Sequence, residues 1–156
     1  MVAVIIKKNT CPDNNYLLNA CRYVLDERAI APGGFGVSAY SAETAYAQMK
    51  AVREYFNKDS MNPLIHIIIS YDNAIPDLTT ASAITRVLAQ NLAVSNQVLY
   101  CTHAKGRGCS CFHAYILINA VSYGNGAIFN SSIPIMQEYC KFVSLMLGQP
   151  CRLFFD

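Results

Sequence analysis

The segment Cys111 to Asn119, Cys-Phe-His-Ala-Tyr-Ile-Leu-Ile-Asn, constrains the fold of this chain more than any other stretch. Successive side chains of a strand point to opposite faces. Phe112, Ala114, Ile116 and Ile118 therefore form one wholly apolar row, suited only to a core. Cys111, His113, Tyr115, Leu117 and Asn119 form the other row, which mixes apolar packing with chemistry. Leu64 to Ser70 reads the same way, with Ile65, Ile67 and Ile69 on one face and His66 and Ser70 on the other. A third strand, Gln97 to His103, ends in a histidine. All three histidines of the chain thus sit on strands that can bring them to one sheet surface.

The remaining punctuation divides the chain into alternating elements. Val2 to Ile6, followed by Lys7 and Lys8, is a buried β-branched strand. Thr10-Cys11-Pro12-Asp13 turns into a helix near Asn14, with Leu17, Cys21 and Val24 on one stripe and Tyr16, Ala20 and Tyr23 on a second. Pro32 to Gly36 reads as a loop, and Ser41 caps a helix with Ala45, Met49, Val52 and Phe56 inward. Polar residues from Asn57 to Pro63 end that helix. A third helix runs from about Thr79 to Ala93, with Ile84, Val87, Leu88 and Leu92 on one face. Tyr123-Gly124-Asn125-Gly126 signals a hairpin leading into a short strand, Ala127 to Phe129. A fourth helix starts after Ser132, takes Pro134 in its first turn and stops at Gly148; Arg152 to Phe155 closes as a strand. The fold class expected is α+β: a central, mainly antiparallel sheet with helices packed on one face, in a single domain over residues 1–156.

Composition narrows the class of protein. With 53% hydrophobic and 14% charged residues the chain is no disordered segment. A net charge of +2 is too small for a pervasive basic surface, though it leaves room for a local patch. No apolar run has membrane-spanning length, and no export signal leads the sequence. Seven cysteines without such a signal are expected as reduced thiols of a cytoplasmic protein, Cys11, Cys21, Cys101, Cys140 and Cys151 within the core. Cys109, Cys111 and His113 alternate on one strand face, either as a soft metal set or as plain thiols. Lys105 and Arg107 stand among glycines, either to hold a phosphate or as a solvated loop. Gly33-Gly34-Phe35-Gly36 is no phosphate loop, because it lacks both the Lys-Ser/Thr ending and a preceding strand. Asp26 and Glu27, just after Tyr23, either assist a phenol or face water.

Several of these segments, in order, resemble the relaxase or mobilisation-nuclease family, HUH-type single-strand DNA endonucleases that nick plasmids at the transfer origin. Arg22-Tyr23-Val24 is similar to the family's tyrosine helix, and Tyr40 to Phe56 to its second helix. His66-Ile67-Ile68-Ile69-Ser70-Tyr71 resembles its His strand, Thr102-His103 its Thr-His strand end, and His113 to Asn119 its His-x-His strand with a closing Asn. Ala120 to Gly126 and the helix with Tyr139-Cys140 resemble the continuation.

The resemblance implies Tyr23 as nucleophile, forming a covalent 5′-phosphotyrosine. It implies His103 and His113 as ligands of a divalent metal, magnesium or manganese with zinc as the further candidate. His66, Ser70 and Asn119, with Lys105 and Arg107, would support the site or the DNA. Single-stranded DNA at a transfer origin and accessory mobilisation proteins are the implied partners, with no membrane. Two departures stand out: Tyr115 replaces the second histidine of the metal motif, and Ala104-Lys105 follow His103 where the family has an acidic residue. A chain that loses the metal through Tyr115 would be a degenerate DNA-binding or interaction domain, which is the alternative reading.

Overall fold

The computed structural model describes residues 1–8, 14–59, 64–104 and 111–156. In chain order these form β1 (Val2–Lys8), α1 (Asn14–Val24), β2 (Ile30–Phe35), α2 (Ala42–Tyr55) and β3 (Leu64–Ser70). They continue with α3 (Leu78–Leu92), β4 (Val98–Ala104), β5 (Phe112–Asn119), α4 (Ile133–Leu147) and β6 (Cys151–Phe155). The strands build one six-stranded sheet in the order β2-β4-β5-β3-β1-β6. Every pairing is antiparallel except that of β1 with β6, so the class is α+β with a mainly antiparallel sheet, as the alternating strands predict.

The strands with the strongest apolar rows take the centre. Ile116 pairs with Ile67 on one side and Tyr100 on the other, and Ile118 with Ile65 and Val98. This row meets α3 and α4 in one core, where Leu88, Ala89, Met136 and Val143 are almost wholly buried. The opposite face is covered too. Leu17, Cys21 and Val24 of α1 and Ala45 and Met49 of α2 pack onto Leu64, Leu99, Cys101 and Leu117. The expectation of helices on one face is corrected to helices on both. Leu99, Cys101 and Leu117 share the mixed rows with the histidines, and they need an apolar cover of their own.

Local chemistry sets the helix ends. The Ser41 hydroxyl accepts from the Thr44 amide at 3.1 Å, and Asp77 accepts from the Thr80 amide at 2.8 Å. Gly148 ends α4 with φ of 64°, in the left-handed region that favours glycine. Along α2 the buried stripe is Ala42, Ala45, Met49 and Arg53, so Val52 and Phe56 stand only half inward. The buried Arg53 guanidinium reaches the Asp59 carboxylate at 3.6 Å.

Two expectations change. Pro32 to Gly36 belongs largely to a strand, β2, rather than a loop. It is an edge strand with a register shift between Ile30 and Gly33, where a proline can be tolerated. Gly33 permits it, because a Cβ there would overlap the Tyr100 ring. The expected strand Ala127 to Phe129 reduces to a single bridge between Val121 and Ile128. Among the described residues no helix is long and apolar enough to cross a membrane.

Candidate active site

Strand register puts the chemistry of the sequence into three adjacent rows on the α1 side of the sheet. The first row is His103, His113 and Ser70; the second is Cys101, Tyr115 and Ile68; the third is Leu99, Leu117, His66 and Lys7. Burial of Leu17, Cys21 and Val24 against Leu99, Cys101 and Leu117 fixes the roll of α1 about its axis. Tyr23, beside that stripe in the last turn, is thereby held over the middle row. Its ring centroid lies 5.5 Å from Tyr115, 6.2 Å from His103 and 6.3 Å from His66, all edge-on. The residue is nevertheless 41% exposed.

The two histidines nearest Tyr23 are buried and neutral. Burial, aided by the Lys7 ammonium, lowers the His66 imidazole to about 4. Burial lowers His103 as well, opposed by the Asp26 carboxylate. Among the described residues the buried Nε2 atoms of His66 and His103 have no hydrogen-bond partner. Leaving such an atom unsatisfied costs on the order of 1–3 kcal/mol, which folding alone gives no reason to accept. Tyr115 sits 4.4 Å from the His103 ring and 6.4 Å from His113, centroid to centroid. Its phenol is pushed well above its ordinary range by burial first and by the neighbouring Tyr23 hydroxyl second. Beside Tyr23, a pocket of about 290 Å³ opens between α1 and the sheet, lined by Lys7, Tyr16, Asn19, His66 and Ile68.

The turn after α1 adds a positive charge. The Arg28 guanidinium stands over the Tyr23 ring, 5.1 Å from its centroid. It donates to Asp26 through Nε at 3.0 Å and Nη2 at 2.6 Å, while the Arg28 amide donates to the other Asp26 oxygen at 2.8 Å. The Arg28 side chain holds the Asp26 carboxyl below its usual range.

Of the residues singled out from the sequence, Tyr23, His66, His103, His113 and Tyr115 converge, and Ser70 lies opposite His113 in register. Asn119 does not join them. It is fully buried at the other end of β5, donating to the Met49 carbonyl at 3.1 Å and the Gln97 side chain at 2.8 Å. Its amide braces β5 to α2 and to the residue before β4. Lys105, Arg107 and Cys109 lie outside the described residues, as does Cys11. Cys21, Cys101 and Cys140 are buried thiols, while Cys111 and Cys151 are half-buried. Sequence reasoning passed over Arg28 and Lys7. The Asp-x-Arg spacing of 26 and 28 was the available sign, but nothing local says that this turn folds back over Tyr23.

A half-exposed phenol at a helix end thus stands above two buried imidazoles on the sheet. The family model described as "Relaxase: MobA/VirD2-like, nuclease domain" matches residues 16–145, from the first helix to the last. The chain belongs to this relaxase family. No curated protein and no solved structure matches it.

The family implies a divalent ion, and the donor set decides whether this chain suits one. His103 and His113 face each other across β4 and β5, but the next position of the row pattern holds a protonated phenol instead of an imidazole. Among the described residues no three His, Cys, Asp or Glu side chains converge as ligands. Magnesium and manganese favour hard oxygen donors, and zinc takes three or four protein ligands. Among the described residues, two imidazoles and a neutral phenol do not fit a resident ion of either kind.

Proposed function

We propose that this protein is a relaxase that nicks single-stranded DNA at a transfer origin through Tyr23. The observation that carries the reading is the half-exposed Tyr23 ring standing within 6.3 Å of two buried, neutral histidines whose Nε2 atoms have no partner among the described residues. The Tyr23 oxygen attacks the scissile phosphorus, the bond from phosphorus to the 3′ oxygen breaks, and a 5′-phosphotyrosine forms. The phenolic proton ends on the departing 3′ oxygen. The carrier for that proton is one of the two neutral imidazoles beside Tyr23, His103 at 6.2 Å or His66 at 6.3 Å between ring centroids. Exchanging one ester for another keeps the bond energy for resealing.

The test is capture of covalent adducts from a library of single-stranded oligonucleotides of random sequence, read by denaturing gel and sequencing. Wild type is expected to yield an adduct, and Tyr23→Phe to lower it by roughly 10³-fold or more, since no other nucleophile replaces the phenol. An adduct that survives in Tyr23→Phe would sink the assignment. Tyr115 at the metal position favours a second reading, a single-strand-binding domain without catalysis; oligonucleotide binding without any adduct would select it.

A further inference from the structure

The missing ligand raises the question of what neutralises the scissile phosphate, and the turn after α1 holds an answer. A phosphodiester placed for attack by Tyr23 brings a negative charge to the outer side of its ring. That charge grows on the phosphoryl oxygens and on the departing oxygen as the bond breaks. Among the described residues the cation at this place is Arg28, directly over the Tyr23 ring. Among the described residues Lys7 also stands beside the cluster, but it lies in the third row next to His66 and is paired with Asp156 at 3.1 Å.

Arg28 is built into its place rather than left to wander. Asp26 takes its Nε and Nη2 and also its main-chain amide, three bonds from one carboxylate two residues away. Asp26 takes two of the guanidinium nitrogens, and the Arg28 side chain also bonds the Tyr23 hydroxyl. A guanidinium has five N–H donors, so one held by a carboxylate and a phenol still has donors to offer, and its planar fork matches phosphate oxygens. Asp26 thereby holds Arg28 at the Tyr23 ring, within the same cluster as His103.

We propose that Arg28, anchored by Asp26, binds the phosphate attacked by Tyr23 and supplies the positive charge that the histidine and tyrosine donors do not hold as a metal ion. This inference rests on the relaxase reading above and deepens it to an ester exchange that needs no added divalent ion.

The experiment combines binding and cleavage. A fluorescent oligothymidylate is titrated against wild type, Arg28→Gln and Arg28→Lys over a series of salt concentrations. Adduct formation is followed in parallel with a chelator or with manganese present. Arg28→Gln is expected to bind about tenfold more weakly, with a salt slope shallower by about 0.7, the value of one single-strand phosphate contact. Arg28→Lys keeps the charge and is expected to retain the slope while losing the fork geometry, and with it most of the adduct. Wild-type adduct is expected to form in chelator.

Unchanged affinity and slope in Arg28→Gln, or adduct formation that depends on manganese, would overturn the proposal while leaving Tyr23 nicking intact. Wild type that binds no oligonucleotide overturns the relaxase reading itself, and this inference with it. The binding arm needs no cleavage, and because the Arg28 side chain is mostly exposed, Arg28→Gln is expected to keep the wild-type melting temperature.

Discussion

The two faces of the sheet differ in how completely their polar groups are satisfied. Against α3 and α4 the rows are apolar, and the buried hydroxyls close on one another. Tyr71 meets Thr85 at 2.7 Å, Thr102 donates to Thr85 at 3.0 Å, and Tyr139 donates to the Leu88 carbonyl at 2.9 Å. Against α1 the cover stops short. Leu99, Cys101 and Leu117 are sealed, while on the same face the buried nitrogens of His66 and His103 have no hydrogen-bond partner among the described residues. One face has finished folding in the sense that burial and bonding agree. The other keeps an unfinished end beneath an exposed tyrosine, and that is where a substrate has something to add.

Three changes sharpen or break this comparison. Ile116→Ala removes a fully buried side chain from the finished face, and is expected to cost about 3–4 kcal/mol in denaturant unfolding. A cost below about 1 kcal/mol would mean that this face is not the well-packed one.

Acid should act through the unfinished face. His66 titrates near 4 in the fold against an ordinary 6.5, lowered by burial and by Lys7, with Tyr23 and Tyr115 as its aromatic neighbours. Above pH 6.5 both folded and unfolded states hold a neutral imidazole, and nothing is lost. Between 6.5 and about 4 the unfolded chain binds a proton that the folded chain refuses. Stability therefore falls with falling pH, by up to about 3 kcal/mol. Urea unfolding across that range should show the loss, and His66→Gln should remove it. Equal pH dependence in both proteins would place the burial penalty elsewhere.

The smallest effect is expected at the metal position. Tyr115→His restores a third imidazole, and calorimetric titration with zinc should reveal binding at least about tenfold tighter than in wild type, or about 1.4 kcal/mol. Equal affinity would show that Tyr115 is not what keeps the donor set from fitting an ion.

Much of this arrangement was legible before any coordinates. Alternation in β3 and β5 already sorted His66, His113 and Tyr115 from the isoleucines, and Ser41, Pro134 and Gly148 marked helix ends through chemistry that acts within a few residues. β2 escaped because its proline and glycines mimic a loop. Its strand geometry comes from pairing with β4, a neighbour distant in sequence. The cover over both faces escaped as well, since the pattern says which row is apolar and not which helix reaches it. Asn119 carried a motif position, yet its bonds to Met49 and Gln97 arise from chain segments some 70 and 22 residues away.

The order of residues alone determined the face to which each histidine points, because side-chain direction along a strand has a period of two whatever the rest of the chain does. Only the tertiary structure decided that Tyr23 stands among them with Arg28 above it. That depends on how α1 rolls when Leu17, Cys21 and Val24 seek burial, and on where the following turn then leads the chain.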